Sequence, residues 1–177
     1  MKADYTLVID PGLHGCGATF GIRGTIKRAA YVRGNPSTTV PQSVLWVDMG
    51  LILQGFVLAC QTENRFISAM GELVIELPQI YKASHQRGGK ERTDPDDIIN
   101  LAGCVGAIIG RADLPTKIYR PCEWKGQVPK AICHARAIKA LTPEELVIVN
   151  AGCTPKSLAH NVLDSVAMYL KHVGRVS

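Results

Sequence analysis

The sequence predicts an α/β fold in which three antiparallel strands open the chain and two further strands alternate with helices. Three observations carry that expectation. The chain has 177 residues, 46% of them hydrophobic and 20% charged, enough apolar material for one substantial core. Its first third holds three short apolar runs separated by glycine-containing turns short enough for hairpins. Beyond them, helical periodicity and short strand-like runs follow one another, giving the order three strands, helix, strand, helix, strand, helices. No repeat or low-complexity tract interrupts the chain, and residues 1–177 read as one domain.

Residues 4–10 form the first expected strand, 18–23 the second and 26–33 the third. After a loop over 35–41, residues 42–61 carry apolar side chains at Val44, Leu45, Val47, Leu51, Ile52 and Phe56, the pattern of a mostly buried helix. Trp46 and Phe56 on it are core candidates, or part of a dimer interface if the helix is exposed. The run from Leu73 to Leu77 is a fourth strand, closed by Pro78. Thr93-Asp94-Pro95-Asp96-Asp97 starts a helix, with a capping residue, proline at the first helical position and acids in the first turn. That helix is expected to reach Arg111. Residues 117–120 are a fifth strand, with helices over 129–141, 143–149 and 156–172.

Composition excludes several classes. No apolar stretch is long enough to span a bilayer, since the longest, residues 43–60, contains Asp48 and Gln54. The start of the chain has no signal-peptide pattern, and the six scattered cysteines lead to the expectation of a reducing, cytoplasmic setting. Six cysteines without Cys-x-x-Cys spacing argue against a zinc ribbon or a redox pair. The formal net charge of +5 is weak evidence for a polyanionic partner, but its distribution is more informative. Lys82, His85, Arg87, Lys90 and Arg92 share one glycine-containing segment, and Arg120, Lys125 and Lys130 form a second group. Either group reads as a solvated loop on its own. Flanking an acidic site, the two would hold a backbone phosphate over a metal.

The acids are the sharper signal. The first strand ends in Ile9-Asp10-Pro11-Gly12, a carboxylate closing a buried strand beside a glycine-rich turn. Such a group is costly to desolvate without a cation or a metal. The fourth strand ends in Glu76, which occupies the equivalent place. On the last helix, Asn161 and Asp164 stand three apart on one side, with His160 about a quarter-turn away. A lone acid in any of these places reads as a surface or helix-start residue. Acids ending two strands, joined by one on a helix that can pack across their ends, point to a divalent-metal site.

These segments resemble a known family. Ile9-Asp10-Pro11-Gly12, Ile75-Glu76-Leu77-Pro78 and His160-Asn161-Val162-Leu163-Asp164 look like the successive acidic motifs of RuvC-type Holliday junction resolvases. Asp94-Pro95-Asp96-Asp97, the segment from Arg120 to Lys130 and Gly174-Arg175 bring the resemblance closest to the phage-type branch. It implies a ribonuclease H-like fold, a five-stranded mixed sheet with helices on both faces. It also implies a homodimer that binds four-way DNA junctions in a bacterial cell and cuts two opposing strands.

The family's four metal-binding acids fall on Asp10, Glu76, Asn161 and Asp164. Asn161 departs from the usual Asp. An amide oxygen still coordinates a hard cation but brings no charge. An engineered substitution, a natural loss of cleavage, and an active site completed by His160 are the competing explanations, the first being favoured because the rest of the motif is intact. The implied mechanism is phosphodiester hydrolysis with two magnesium ions, or manganese, roughly 3.5–4 Å apart. Asp10 would bridge them, with Glu76 and Asp164 on either side. Lys125 and Lys130 are candidates for phosphate contact or transition-state stabilisation. The implied DNA contacts are Tyr81, Lys82, Arg87, Lys90, Arg92, Lys125 and Lys130, with Tyr81 placed to stack on an unpaired base. Trp124 reads as a loop anchor, and His14 as a solvated turn residue or a phosphate contact. Two readings from other classes compete: a branched-DNA binder without catalysis, and an actin-like phosphotransferase, which needs two related domains where this chain has length for one.

Overall fold

Five strands join in one mixed sheet in the order β3-β2-β1-β4-β5 in the computed structural model, which describes residues 3–12, 14–34, 42–63, 70–78 and 95–176. Side chains within the first two helices are described from residues 49 and 96 onward. Strands β1 (Tyr5–Asp10), β2 (Gly15–Ile22) and β3 (Thr25–Arg33) form an antiparallel meander, and β4 (Gly71–Glu76) lies parallel to β1. β5 (Thr116–Tyr119) is parallel to β4 at the edge. Three antiparallel strands followed by two parallel ones is the expected arrangement.

Strand alternation splits the core in two. Leu7, Ile9, Leu73 and Ile75 face the helices α1 (Gln42–Glu63) and α2 (Pro95–Ala112), where they meet Met49, Leu53, Val105 and Ile108. Val8 and Val74 face the other way, toward α4 (Lys130–Lys139), α5 (Pro143–Gly152) and α6 (Ala159–His172). There they pack with Val162, Val166 and Met168. Among the described residues, no helix is long and apolar enough to cross a membrane.

Three expectations need correction. β2 begins at Gly15 rather than Ala18, because the glycines that read as turn residues are ladder residues paired to β1 and β3. Helix α1 is not mostly buried: it packs beside α2 and over one face of the sheet, leaving Leu51, Ile52 and Leu58 exposed. Phe56 is partly buried against the core as expected, with the Arg28 guanidinium 5.3 Å from its ring centre. Residues 121–124, read as loop, form a single helical turn, α3 (Pro121–Trp124). Proline starts it, and Glu123 accepts a hydrogen bond from the Arg120 backbone N–H at 2.6 Å, so cap and first turn stabilise each other.

The C-terminal segment is pinned by one buried carboxylate. Glu145 Oε1 and Oε2 each accept from the Arg175 guanidinium at 2.7 Å, while the backbone N–H groups of Ile26 and Thr142 donate to them at 2.9 Å. Thr142 caps α5 in return through its hydroxyl. The cysteines are free thiols, with Cys16, Cys60 and Cys104 buried.

Candidate active site

Asp10 and Glu76 continue the columns of Val8 and Val74 past the end of the apolar core. Because β1 and β4 are parallel with Ile9 opposite Ile75, the two acids close neighbouring strands at the same edge of the sheet. Alternation places both side chains on the α6 face. The carboxyl ends of parallel strands, where the core stops and the chain turns away, are where such folds place ligands.

Helix α6 reaches these acids because β2 is bare where they meet. Asp10 pairs with Gly17, Val8 with Thr19 and Thr6 with Gly21. A Cβ on Gly17 would fall on the Asn161 carbonyl oxygen, and one on Gly21 on the Tyr169 hydroxyl. Between them, the Thr19 and Ser165 hydroxyls share a hydrogen bond of 2.8 Å. Positions 161, 165 and 169 are one helical ridge, seated on alternate residues of β2. That seat sets Asp164 beside the strand ends at 5% exposure.

The three acids are charge-coupled. Burial pushes the Asp10 carboxyl well above the ordinary range, and the charges of Glu76 and Asp164 push it further, with Lys130 and Lys125 opposing. Burial also raises Glu76, against the pull of Lys125 and of the Trp124 indole N–H, which hydrogen-bonds its Oε2. Burial acts on Asp164 too, but hydrogen bonds from His134 and Lys130 outweigh it and hold that carboxyl low. His134 Nε2 lies 2.8 Å from Asp164 Oδ1, and Lys130 Nζ is paired with Oδ2. Among the described residues, Asp10 accepts no hydrogen bond and forms no ion pair.

No protein-family model and no curated protein matches the chain. Solved structures do. One, described as Thermus thermophilus RuvC, is 16% identical with a TM-score of 0.53, over 95% of this chain and 92% of that one. A second, described as T. thermophilus RuvC in complex with Holliday junction substrate, is 15% identical with a TM-score of 0.50, over 95% and 91% of the two chains. The fold is RuvC-like. Its five-stranded mixed sheet with helices is a ribonuclease H-like fold, as the resemblance implied.

Within this RuvC-like fold, Asp10, Glu76, Asp164, Lys125 and Lys130 come together. Lys125 Nζ stands 5.1 Å from the centre of the Trp124 ring, and Trp124 is the buried anchor that was expected. Asn161 lies one turn before Asp164, half-buried, with its backbone against Gly17 and no side-chain hydrogen bond among the described residues. His160 is exposed. Tyr81, Lys82, Arg87, Lys90 and Arg92, like His85 and Asp94, lie outside the described residues, and the side chain of Trp46 does too. His14 is exposed, as the solvated reading expects.

Sequence reasoning missed His134. Its signal was the four-residue spacing from Lys130, which puts both on one face of α4. Among the described residues, no group of three or more His, Cys, Asp or Glu side chains is gathered as a metal cage. The donor chemistry nevertheless fits a hard divalent cation: carboxylate oxygens that repel one another where the strands end, with the Asp10 carboxylate unpartnered among the described residues.

Proposed function

We propose that this chain is a structure-selective endonuclease that cuts four-way DNA junctions by divalent-metal-dependent phosphodiester hydrolysis. The observation that carries the reading is the coupled trio of Asp10, Glu76 and Asp164 at one sheet edge, with Lys125 and Lys130 beside it. A dense carboxylate cluster destabilises a fold unless something positive enters it. Asp10, the carboxylate free of partners among the described residues, would hold the metal together with Glu76 and Asp164. Two magnesium ions, or manganese, bound there would activate a water and stabilise the leaving 3′-oxygen. The protein supplies orientation: Trp124 holds Glu76, and His134 holds Asp164. Lys125 and Lys130 lie where a scissile phosphate approaches the acids and compensate its charge.

The exposed apolar side chains of α1 support a homodimer, since Leu51, Ile52 and Leu58 offer a face that a second copy would cover. Two sites related by a two-fold axis suit a junction cut symmetrically. The phage-type branch, resting on the sequence motifs alone, and a cytoplasmic setting, resting on the scattered free cysteines, complete the reading. Asn161 favours a second reading, a junction-binding protein without cleavage, because its neutral amide replaces the charge that a fourth carboxylate would bring.

The test is cleavage of an end-labelled four-way junction with magnesium or manganese. It compares this chain, Asn161→Asp, and Asp10→Asn placed in the Asn161→Asp background. Symmetric cutting by Asn161→Asp, abolished by the Asp10 change, is the expected result. Tight binding without cutting by every version establishes the second reading instead.

A further inference from the structure

Trp124, whose indole N–H holds Glu76, also lines a cavity of about 240 Å³. Three cations from separate elements line it: Lys125 after α3, Arg136 on α4 and Lys171 on α6. Its apolar lining comes from Val128, Ala167 and Val176 together with the Trp124 ring. One acid lines it as well, Glu123, whose Oε2 is already engaged by the Arg120 backbone N–H at 2.6 Å. Arg136 and Lys171 form no ion pair among the described residues. Each sits in the last turn of its helix, where the dipole favours a cation. The dipole does not account for their convergence with Lys125 on one concavity.

We propose that this cavity is a second phosphate site, which takes a phosphodiester of the DNA strand whose neighbouring phosphate lies over Asp10. The inference rests on the nuclease reading above. A diester carries one negative charge and several acceptor oxygens, which the Arg136 guanidinium and the Lys171 ammonium meet with charge-assisted hydrogen bonds, while Lys125 at the boundary faces the neighbouring phosphate over the acids. The apolar lining suits the sugar that travels with the phosphate. Trp124 joins the two places, since its indole N–H holds Glu76 while its ring lines the cavity. A strand seated here is fixed relative to a catalytic carboxylate through a single side chain.

Cys122 gives the cavity a reporter, because it lines the cavity and is exposed. The experiment measures the rate at which N-ethylmaleimide labels Cys122, read by peptide mass spectrometry. The full chain is compared alone and with a four-way junction, with deoxythymidine monophosphate, and with inorganic phosphate. Junction binding is followed in parallel by fluorescence anisotropy across a salt series. The proposal expects the junction to slow labelling at least tenfold, and Arg136→Gln with Lys171→Gln to remove that protection. The same pair should lower the slope of log affinity against log salt by about 1, at roughly 0.9 for the one phosphate that the cavity takes. Lys27→Gln with Lys139→Gln, an equal charge change at exposed positions elsewhere, should leave the protection intact. A junction that binds while Cys122 stays as reactive as in the free protein overturns the proposal and leaves the nuclease reading standing. Protection by phosphate or the mononucleotide but not by the junction overturns the strand as occupant. No junction binding by the unmodified chain overturns both readings together.

Discussion

Replacing Arg175 with methionine should remove a large share of the stability of this fold, and the loss should shrink as the solution is acidified. Glu145 is 1% exposed and accepts four hydrogen bonds, two of them from Arg175. Burial alone would raise its carboxyl, but Arg175 and the Thr142 and Ile26 backbone N–H groups bring it down to about 2. A fall from the ordinary value of 4.5 to about 2 corresponds to roughly 3 kcal/mol. Leaving one partner of a buried ion pair uncompensated costs about 3–5 kcal/mol, so the two routes agree on ~4 kcal/mol at neutral pH. For a chain of this size each kcal/mol moves Tm by about 2–4 °C, giving a fall of roughly 8–16 °C.

The pH dependence has a definite sign. In the unmodified protein the Glu145 carboxyl is depressed, so its contribution is complete above about pH 4.5 and is lost as pH falls through about 2. Without Arg175 the same buried carboxyl takes up a proton more easily, which relieves the penalty at mildly acid pH. Urea denaturation at pH 7 and pH 4, followed by tryptophan fluorescence, measures both quantities. A loss under about 1 kcal/mol at pH 7, or a loss as large at pH 4, would refute the reasoning.

Further outcomes follow from the same physics. Gly17→Ala drives a methyl into the Asn161 carbonyl, and should cost about 1–3 kcal/mol in denaturant while abolishing junction cleavage in the Asn161→Asp background, because α6 carries Asp164. His134→Ala removes the hydrogen bond to Asp164 Oδ1 and should lower cleavage in that background by about 10- to 100-fold, with His134→Gln recovering part of the loss in the same gel assay. Asp10→Asn removes a carboxyl whose pKa is raised by burial and by two neighbouring acids, so without metal it should stabilise the fold at pH 8 by roughly 1–2 kcal/mol. Because a raised carboxyl costs stability above its folded pKa, that gain should fade as pH falls, and calorimetry at pH 8 and pH 4 would show it.

The strand-end acids were legible because a strand has a period of two and an abrupt end. Asp10 before Pro11-Gly12 and Glu76 before Leu77-Pro78 each close an apolar run, and strand order alone sets them side by side. Asp164 was legible as a polar interruption of an apolar helix face. His134 was not, because its partner lies on another helix and neither sequence neighbourhood points to the other. Gly17 misled because a glycine serves a turn and a close helix approach equally well, and α6, which decides between them, comes more than 140 residues later, while Gly15 is a ladder residue whose missing Cβ leaves room for the Tyr31 hydroxyl of β3. Which face of α1 is exposed was not legible, because a helix apolar nearly all round carries no sign of which face is covered.

The seat of α6 on β2 fixes two lengths of chain against each other. From Gly17 to Gly21 the strand advances about 13–14 Å, and from Asn161 to Tyr169 the helix advances about 12 Å, so two strand steps of two residues match two helix steps of four. A single residue inserted or deleted between the two glycines would turn one of them to the opposite face, and a side chain would stand where α6 must lie. A single residue inserted in α6 between Asn161 and Asp164 would rotate the carboxylate by about 100° away from Asp10. Changes in length along this chain are therefore tolerable at the surface turns and forbidden here, so in any set of related sequences these two segments should align without gaps.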